Sequence, residues 1–438
     1  MAAEKTPDTV ADLHPNFIND EISKSIDKYI LTAEGSTVTK SYEEATNDTI
    51  PEVKTEHIKI YQSIYAYYSW LGLWFGAETL FSWRRYRSPL LWIINFLLAL
   101  CNYCILYNTA YDYYRKGEYD RILEPLSCFG LCFTCTIKWA VYLKYMNTVL
   151  ALIFAVRKIC EDITSGPKAA TLNARLDKTY RLIRVYTVGL SAVIVFYVSV
   201  AMKFFLIDGI YYPLMPINIP LCDGETLKGY LSMLAIQLVF GVYSAVATLT
   251  FGTSFLILLG NYGLMADLIE LDFTELNNMW TISTEMSLAY RHAFLNNIVR
   301  KLQDMQFYMS EIKRIYELKL FVYFLISYVG QVICLYQIIQ KNWLPGYTPL
   351  FTVFIEMSFY CGIGTQITIL GEKMCSYIQE TNWYVYDLYT QKTLRFLLQM
   401  CQRPCEISLQ SLGPLNMVTG VAFVKGIYYY YTGLTKMM

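Results

Sequence analysis

Runs of roughly 20 mostly apolar residues recur seven times along this chain, and roughly 20 is what a bilayer's hydrocarbon core demands of a crossing helix. They extend approximately from Leu90 to Tyr107, Leu126 to Tyr145, Val185 to Ile207, Tyr230 to Leu259, Leu318 to Ile339, Leu350 to Leu370 and Leu412 to Thr432. A chain of 438 residues that is 55% hydrophobic and only 16% charged is too apolar for an ordinary soluble protein of this size. The expected fold is therefore all-α and polytopic, because a helix satisfies its own backbone in lipid. Net charge is zero, which disfavours a nucleic-acid partner.

Basic loops stay cytoplasmic, so the lysines and arginines set the orientation. One side of the predicted layout carries 26 of them and the other 6, which places the N-terminus in the cytoplasm and, after seven crossings, the C-terminus outside. Residues 1–57 form a polar cytoplasmic tail with no signal-peptide pattern, and residues 58–438 form one membrane domain. The Asn47-Asp48-Thr49 sequon then falls in the cytosol, unused. Residues 58–82 put Tyr61, Ile64, Tyr65, Tyr68, Gly72 and Phe75 on one helical face, which suits a helix lying on the bilayer surface. The connection over residues 260–315 has helical periodicity, and span 6 runs on into residues 371–405. These projecting helices predict a packed cytoplasmic bundle.

Charges inside the spans need an explanation, since lipid excludes them. Lys138, Lys203 and Lys319 lie near span ends and can snorkel. Glu356 and Lys425 cannot so easily. With span 7 starting at Leu412, Lys425 is 13 residues in, or ~20 Å, beyond the midplane. It either borders something wet or is buried against another helix, opposite Glu356. Twelve cysteines lie mostly in apolar runs and read as small packing residues, with Cys222 a free thiol in an outer loop. Three histidines and no recognisable catalytic or phosphate-binding motif disfavour an enzyme and imply no cofactor or metal. His292 reads as a packing or hydrogen-bonding residue.

Seven spans also suit a receptor signalling through G proteins, but the orientation is inverted, no NPxxY closes the last span, and Asp120-Arg121 falls on the outer side. An inverted receptor of that kind stays as the second reading. A transporter is third, since no inverted repeat or broken helix is visible.

The segment RHAFLNNIVRKLQDMQF that begins at Arg291 contains His292; Cys334 and Tyr336 follow near the end of span 5, with Tyr384, the Gln402-Arg403-Pro404 turn and an aromatic tail beyond them. With LGLWF at Leu71 to Phe75, these residues in this order resemble the insect odorant receptor family from Ile58 onward. The length of the 4–5 connection is more similar to an odour-tuning subunit than to the shared co-receptor. The resemblance implies a subunit of a ligand-gated, non-selective cation channel, a heterotetramer with the co-receptor. It also implies a plasma-membrane location in olfactory sensory neuron dendrites and contact with membrane lipids.

In such a protein a small neutral volatile odorant occupies the outer half of spans 2, 3, 4 and 6. Here that half contains Phe129, Phe133, Phe196, Tyr197, Val200, Met233, Leu234, Gln237, Phe354, Met357 and Tyr360. Phe, Tyr and Met predominate and acids are scarce, so an amine would lack a countercharge. The outer loop with Pro213, Pro216 and Pro220 is either a lid or a rigid connector. The resemblance makes the last helix line the pore, which nominates Lys425, Tyr428, Tyr431 and Leu434 as pore or gate residues.

Overall fold

The computed structural model describes residues 60, 63–64, 89–163, 165–207, 209, 211, 214–215, 217–219, 226–281, 287–403 and 405–437. Eight α-helices account for most of them: α1 (Pro89–Lys116), α2 (Leu123–Asp162), α3 (Pro167–Leu206), α4 (Leu227–Thr281), α5 (Leu288–Lys341), α6 (Tyr347–Gln379), α7 (Leu388–Cys401) and α8 (Met417–Met437). Helices α1 to α6 are each long and apolar enough to cross a membrane. At 1.5 Å per residue the 21 residues of α8 reach ~31 Å, enough for a seventh crossing.

Helix α4 is the axis of the packing, touching α2, α3, α5 and α6. From Thr248 to Leu259 every residue but Leu249 is buried, and a helix that is apolar or small all round belongs in a core. Close approach needs small residues, because helices in lipid gain from van der Waals contact rather than from expelling water. Gly252 supplies one: a Cβ there would overlap the Tyr186 ring of α3. Gly364 of α6 supplies another, lying against the Leu415 carbonyl.

The long connections are helical, as the periodicity predicts. Helix α4 runs past the span to Thr281, α5 begins at Leu288, and α6 continues to Gln379 before α7. Ser287 caps α5 and Asp387 caps α7, each accepting from backbone N–H groups of the first turn.

The last span begins later than its apolar run suggests. Leu412 and Gly413 belong to a tight turn in which Leu409 N–H donates to the Gly413 carbonyl (2.7 Å) and Leu415 N–H donates to the Ile407 carbonyl (2.7 Å). Gly413 has φ of 95°, a region glycine enters without strain, and the helix starts only at Met417. Lys425 is therefore eight residues into the helix and twelve from its end, near the middle.

The expected surface helix over residues 58–82 lies outside the described residues except at 60, 63 and 64, where Ile64 is buried in the central core and Ile60 packs on it. Residues 1–57 with Asn47, the Leu71 to Phe75 motif, Pro213, Pro216, Pro220, Cys222 and Pro404 also fall outside them. The eleven described cysteines are all unpaired thiols, and no group of metal-ligating side chains assembles among the described residues.

Candidate functional site

The polar centre of the membrane region is a buried ion pair. Lys138 of α2 and Glu356 of α6 meet at 2.6 Å, with only 3% and 2% of their side chains exposed. The expectation that Lys138 snorkels does not hold: Thr248 Oγ1 of α4 accepts from its ammonium at 3.2 Å, and the charge sits 4.7 Å from the centroid of the Tyr323 ring. The same pairing settles the partner of Glu356, which is Lys138 and not Lys425.

The remaining valences of the carboxylate are filled from three helices. Tyr323 of α5 donates to Oε2 at 2.7 Å, and Tyr360, one turn along α6, donates to Oε1 at 3.3 Å. The Tyr186 hydroxyl of α3 lies 3.5 Å from Oε1 and 3.3 Å from the Thr248 carbonyl, so its one proton serves either. Five helices thus converge on one charge pair. Aromatic edges seal it: Tyr323 and Tyr360 meet edge to face, as do Tyr186 and Phe359.

The eleven side chains nominated for an odorant do not form one cluster. Met357 and Tyr360 are buried beside the ion pair. Met233 and Leu234 join a second, separate cluster with Leu106, Ile217, Ile219 and Tyr230. Gln237 is almost wholly buried and spends its amide on the loop between α3 and α4, accepting from Met215 N–H and donating to the Met215 carbonyl, both at 3.1 Å. Thr109 holds the same loop by accepting from Asn218 N–H at 2.9 Å. The described part of this loop is thus a pinned connector, with Leu214, Ile217 and Ile219 buried under it. Phe133, Phe196 and Phe354 are exposed, as is Phe129, whose ring lies 5.2 Å from that of Tyr103 on α1, and Tyr197 and Val200 are half-buried. A separate narrow cleft of about 10 Å³, room for about one water molecule, opens between α2, α5 and α6, lined by Ser127, Gly130, Thr134, Ser327 and Gln331 among others, and none of the eleven faces it.

On α8 one face is occupied and the other is not. Phe423 is buried against Phe324 (ring centroids 5.5 Å) and Tyr328 (5.0 Å) of α5, while Gly420 and Gly426 let Cys361 and Tyr328 approach. Two residues along a helix turn 200°, so Lys425 points away from that contact. Val418, Val421, Lys425, Tyr428 and Tyr429 form the exposed face, and Tyr431 is half-buried. The Leu434 side chain lies outside the described set.

The helical bundle beyond the spans, where α3, α4, α5 and α7 meet, has its own charge network. Asp272 of α4, 1% exposed, pairs with Lys168 of α3 (2.8 Å) and Lys301 of α5 (2.6 Å). Arg175 grips Asp267 with two parallel bonds of 2.6 and 2.5 Å. Helix α7 is tied on by His292 Nε2 against Asp387 Oδ2 (2.9 Å) and by Asn277 of α4, which accepts from the Tyr386 hydroxyl and the Asn382 N–H, both at 3.0 Å. His292 is the hydrogen-bonding residue its context predicts. Burial pushes the Asp387 carboxyl up, but bonds from Thr390 and the His292 ring more than offset that and hold it below its ordinary 3.8. A depressed carboxylate stabilises above its unfolded value, so this contribution is complete at neutral pH and is lost only as pH falls through the folded value.

Sequence reasoning flagged Lys138 and Glu356 separately and missed Tyr186, Thr248 and Tyr323. The available signal was arithmetic: five lysines, Lys144 at a span's edge among them, and one acid lie within the spans, so a lysine was the natural partner for the acid.

Comparison with known proteins bears on the whole arrangement. The family model described as 7tm odorant receptor matches residues 118–428. Among solved structures, that of the insect olfactory receptor OR5 from Machilis hrabei is similar, with a TM-score of 0.67 at 12% identity over 87% of this chain and 98% of the other. The structure of that receptor in complex with eugenol gives a TM-score of 0.68 at 12% identity, over 87% of this chain and all of the other. The seven-helix transmembrane fold is shared.

The network around α7 makes a local prediction. Replacing Asp387 with Ala removes both the cap and the His292 contact, so hydrogen exchange of the first-turn amides of α7 should accelerate about fivefold, which corresponds to ~1 kcal/mol. Unchanged exchange would mean that α7 is held by its apolar contacts alone.

Proposed function

Because the chain belongs to the 7tm odorant receptor family, we propose that it is an odour-tuning subunit that binds a small neutral volatile and opens a non-selective cation channel formed with a co-receptor. It is an odorant receptor and not an enzyme. The observation that carries the channel reading is the two-sided character of α8: one face packs on α5 and α6, and the other presents Lys425, a charge near mid-span that needs water or a partner. Buried Met357 and Tyr360, with Met233 and Gln237 further out, supply the apolar and aromatic surface that a volatile requires. Phe129, Phe133, Phe196, Tyr197, Val200, Leu234 and Phe354 are the wider set from which further contacts come. Tyr428, Tyr431 and Leu434 belong with Lys425 at the pore or its outer gate. The heteromer resides in the plasma membrane, in olfactory neuron dendrites.

Co-expressed with the co-receptor, the chain should give cation currents within milliseconds of odour application that survive block of G proteins. Slow currents abolished by that block would favour an inverted G-protein-linked receptor instead.

Orientation rests on the distribution of basic residues, 26 against 6. A glycosylation tag at the C-terminus should be modified and one at the N-terminus should not. The reverse pattern would overturn the topology.

Lys425 lies ~12 Å from the start of α8 and ~18 Å from its end, too deep for easy snorkelling. A lysine bordering the pore repels cations, so Lys425→Ala or Lys425→Glu should raise conductance or divalent permeability while leaving odour preference in place. Surface-assembled variants with unchanged conductance and permeability would make Lys425 a structural residue.

A further inference from the structure

A buried ion pair is a weak source of stability, because withdrawing two charges from water costs about what their attraction returns, and apolar residues of similar volume often do as well. What the pair around Glu356 does supply is position. Its carboxylate has a fixed geometry and every oxygen is engaged, so α2, α3, α5 and α6 cannot slide past one another without breaking a bond in a place with no water to replace it.

The hub also lies between two parts of the molecule that a gated channel must connect. On one side, Met357 and Tyr360 flank Glu356 along α6 and belong to the candidate odorant surface. On the other, Tyr323 continues directly into Phe324, whose buried ring stands edge to face against Phe423, the buried anchor of α8. A chain of direct contacts therefore runs Tyr360, Glu356, Tyr323, Phe324, Phe423. Packed contacts of this kind carry coupling when they have two discrete arrangements that both sites bias.

We propose that Lys138 and Glu356 are positioning residues of the gate: the intact pair, with the Tyr323 hydroxyl, holds α2, α5 and α6 in the odorant-free arrangement and so keeps α8 in its closed placement. This rests on the channel reading above. Weakening the hub should let the channel open with less odorant, or with none.

The test uses the full heteromer in the cell membrane. Tyr323→Phe removes one hydrogen bond to Glu356 and keeps the ring, while Lys138→Met with Glu356→Gln removes both charges together and leaves the tyrosines an acceptor. Surface labelling measures assembly, and recording measures the odorant-independent current as a fraction of the maximum, together with the half-maximal odorant concentration. A bond to a charged group is large enough that its loss should lower the half-maximal concentration at least about fivefold and raise the odorant-independent fraction. Variants that reach the surface with both quantities unchanged overturn the proposal. So does failure of every variant to reach the surface, since that assigns the hub to folding alone; if only the double variant fails, Tyr323→Phe decides. Wild-type currents in the same cells test the channel reading separately, because their loss under G-protein block defeats that reading whatever the variants do.

Discussion

A lysine and a glutamate, both almost wholly buried and 2.6 Å apart, are the fixed point about which the membrane helices are arranged. Neither tolerates the other's removal: an uncompensated charge in that position costs several kcal/mol, commonly about 3–5. Yet the pair reaches beyond its own two helices, because a single bond joins the two groups and leaves acceptor sites on Glu356 and donors on Lys138 to be satisfied by others. Tyr186, Tyr323, Tyr360 and Thr248 make up the difference. In lipid, where apolar packing alone distinguishes poorly between helix registers, a polar knot of this kind selects one.

The helical bundle beyond the spans uses a related device under different conditions. Asp272 draws lysines from α3 and α5 onto α4, but those lysines remain 30% and 42% exposed, so water and salt moderate the interaction. Capping by Asp387 and the His292 contact then attach α7 at the bundle's edge. The bundle and the membrane core share α4 and α5, each more than 50 residues long. The two regions are therefore joined through continuous helices.

Much of this is legible in the sequence. Apolar length located all seven spans, because the bilayer imposes a minimum on each, and periodicity exposed the helical continuations of spans 4, 5 and 6. The start of α8 was misplaced because Leu412 and Leu415 extend the apolar run while Gly413 and the Ile407–Leu415 bond hold them in a turn, which hydropathy cannot register. Lys138 was misread for a similar reason: distance from a span end permits snorkelling, but 218 residues separate it from the carboxylate that holds it. Which of the odorant candidates are enclosed was not legible. Depth along a helix can be counted, but the face a side chain presents depends on neighbours far away in sequence, and so Phe129 and Phe354 turned out exposed while Met357 and Tyr360 are enclosed.

The claim that one charge pair organises the membrane core is tested most directly by a double-mutant cycle on thermal unfolding of the purified receptor complex, using Lys138→Met, Glu356→Gln and the two combined. The account predicts that each single change lowers the unfolding temperature markedly and that the double variant regains most of the loss, a coupling of more than about 1 kcal/mol. Additive losses, with the double variant the least stable of the three, would contradict it.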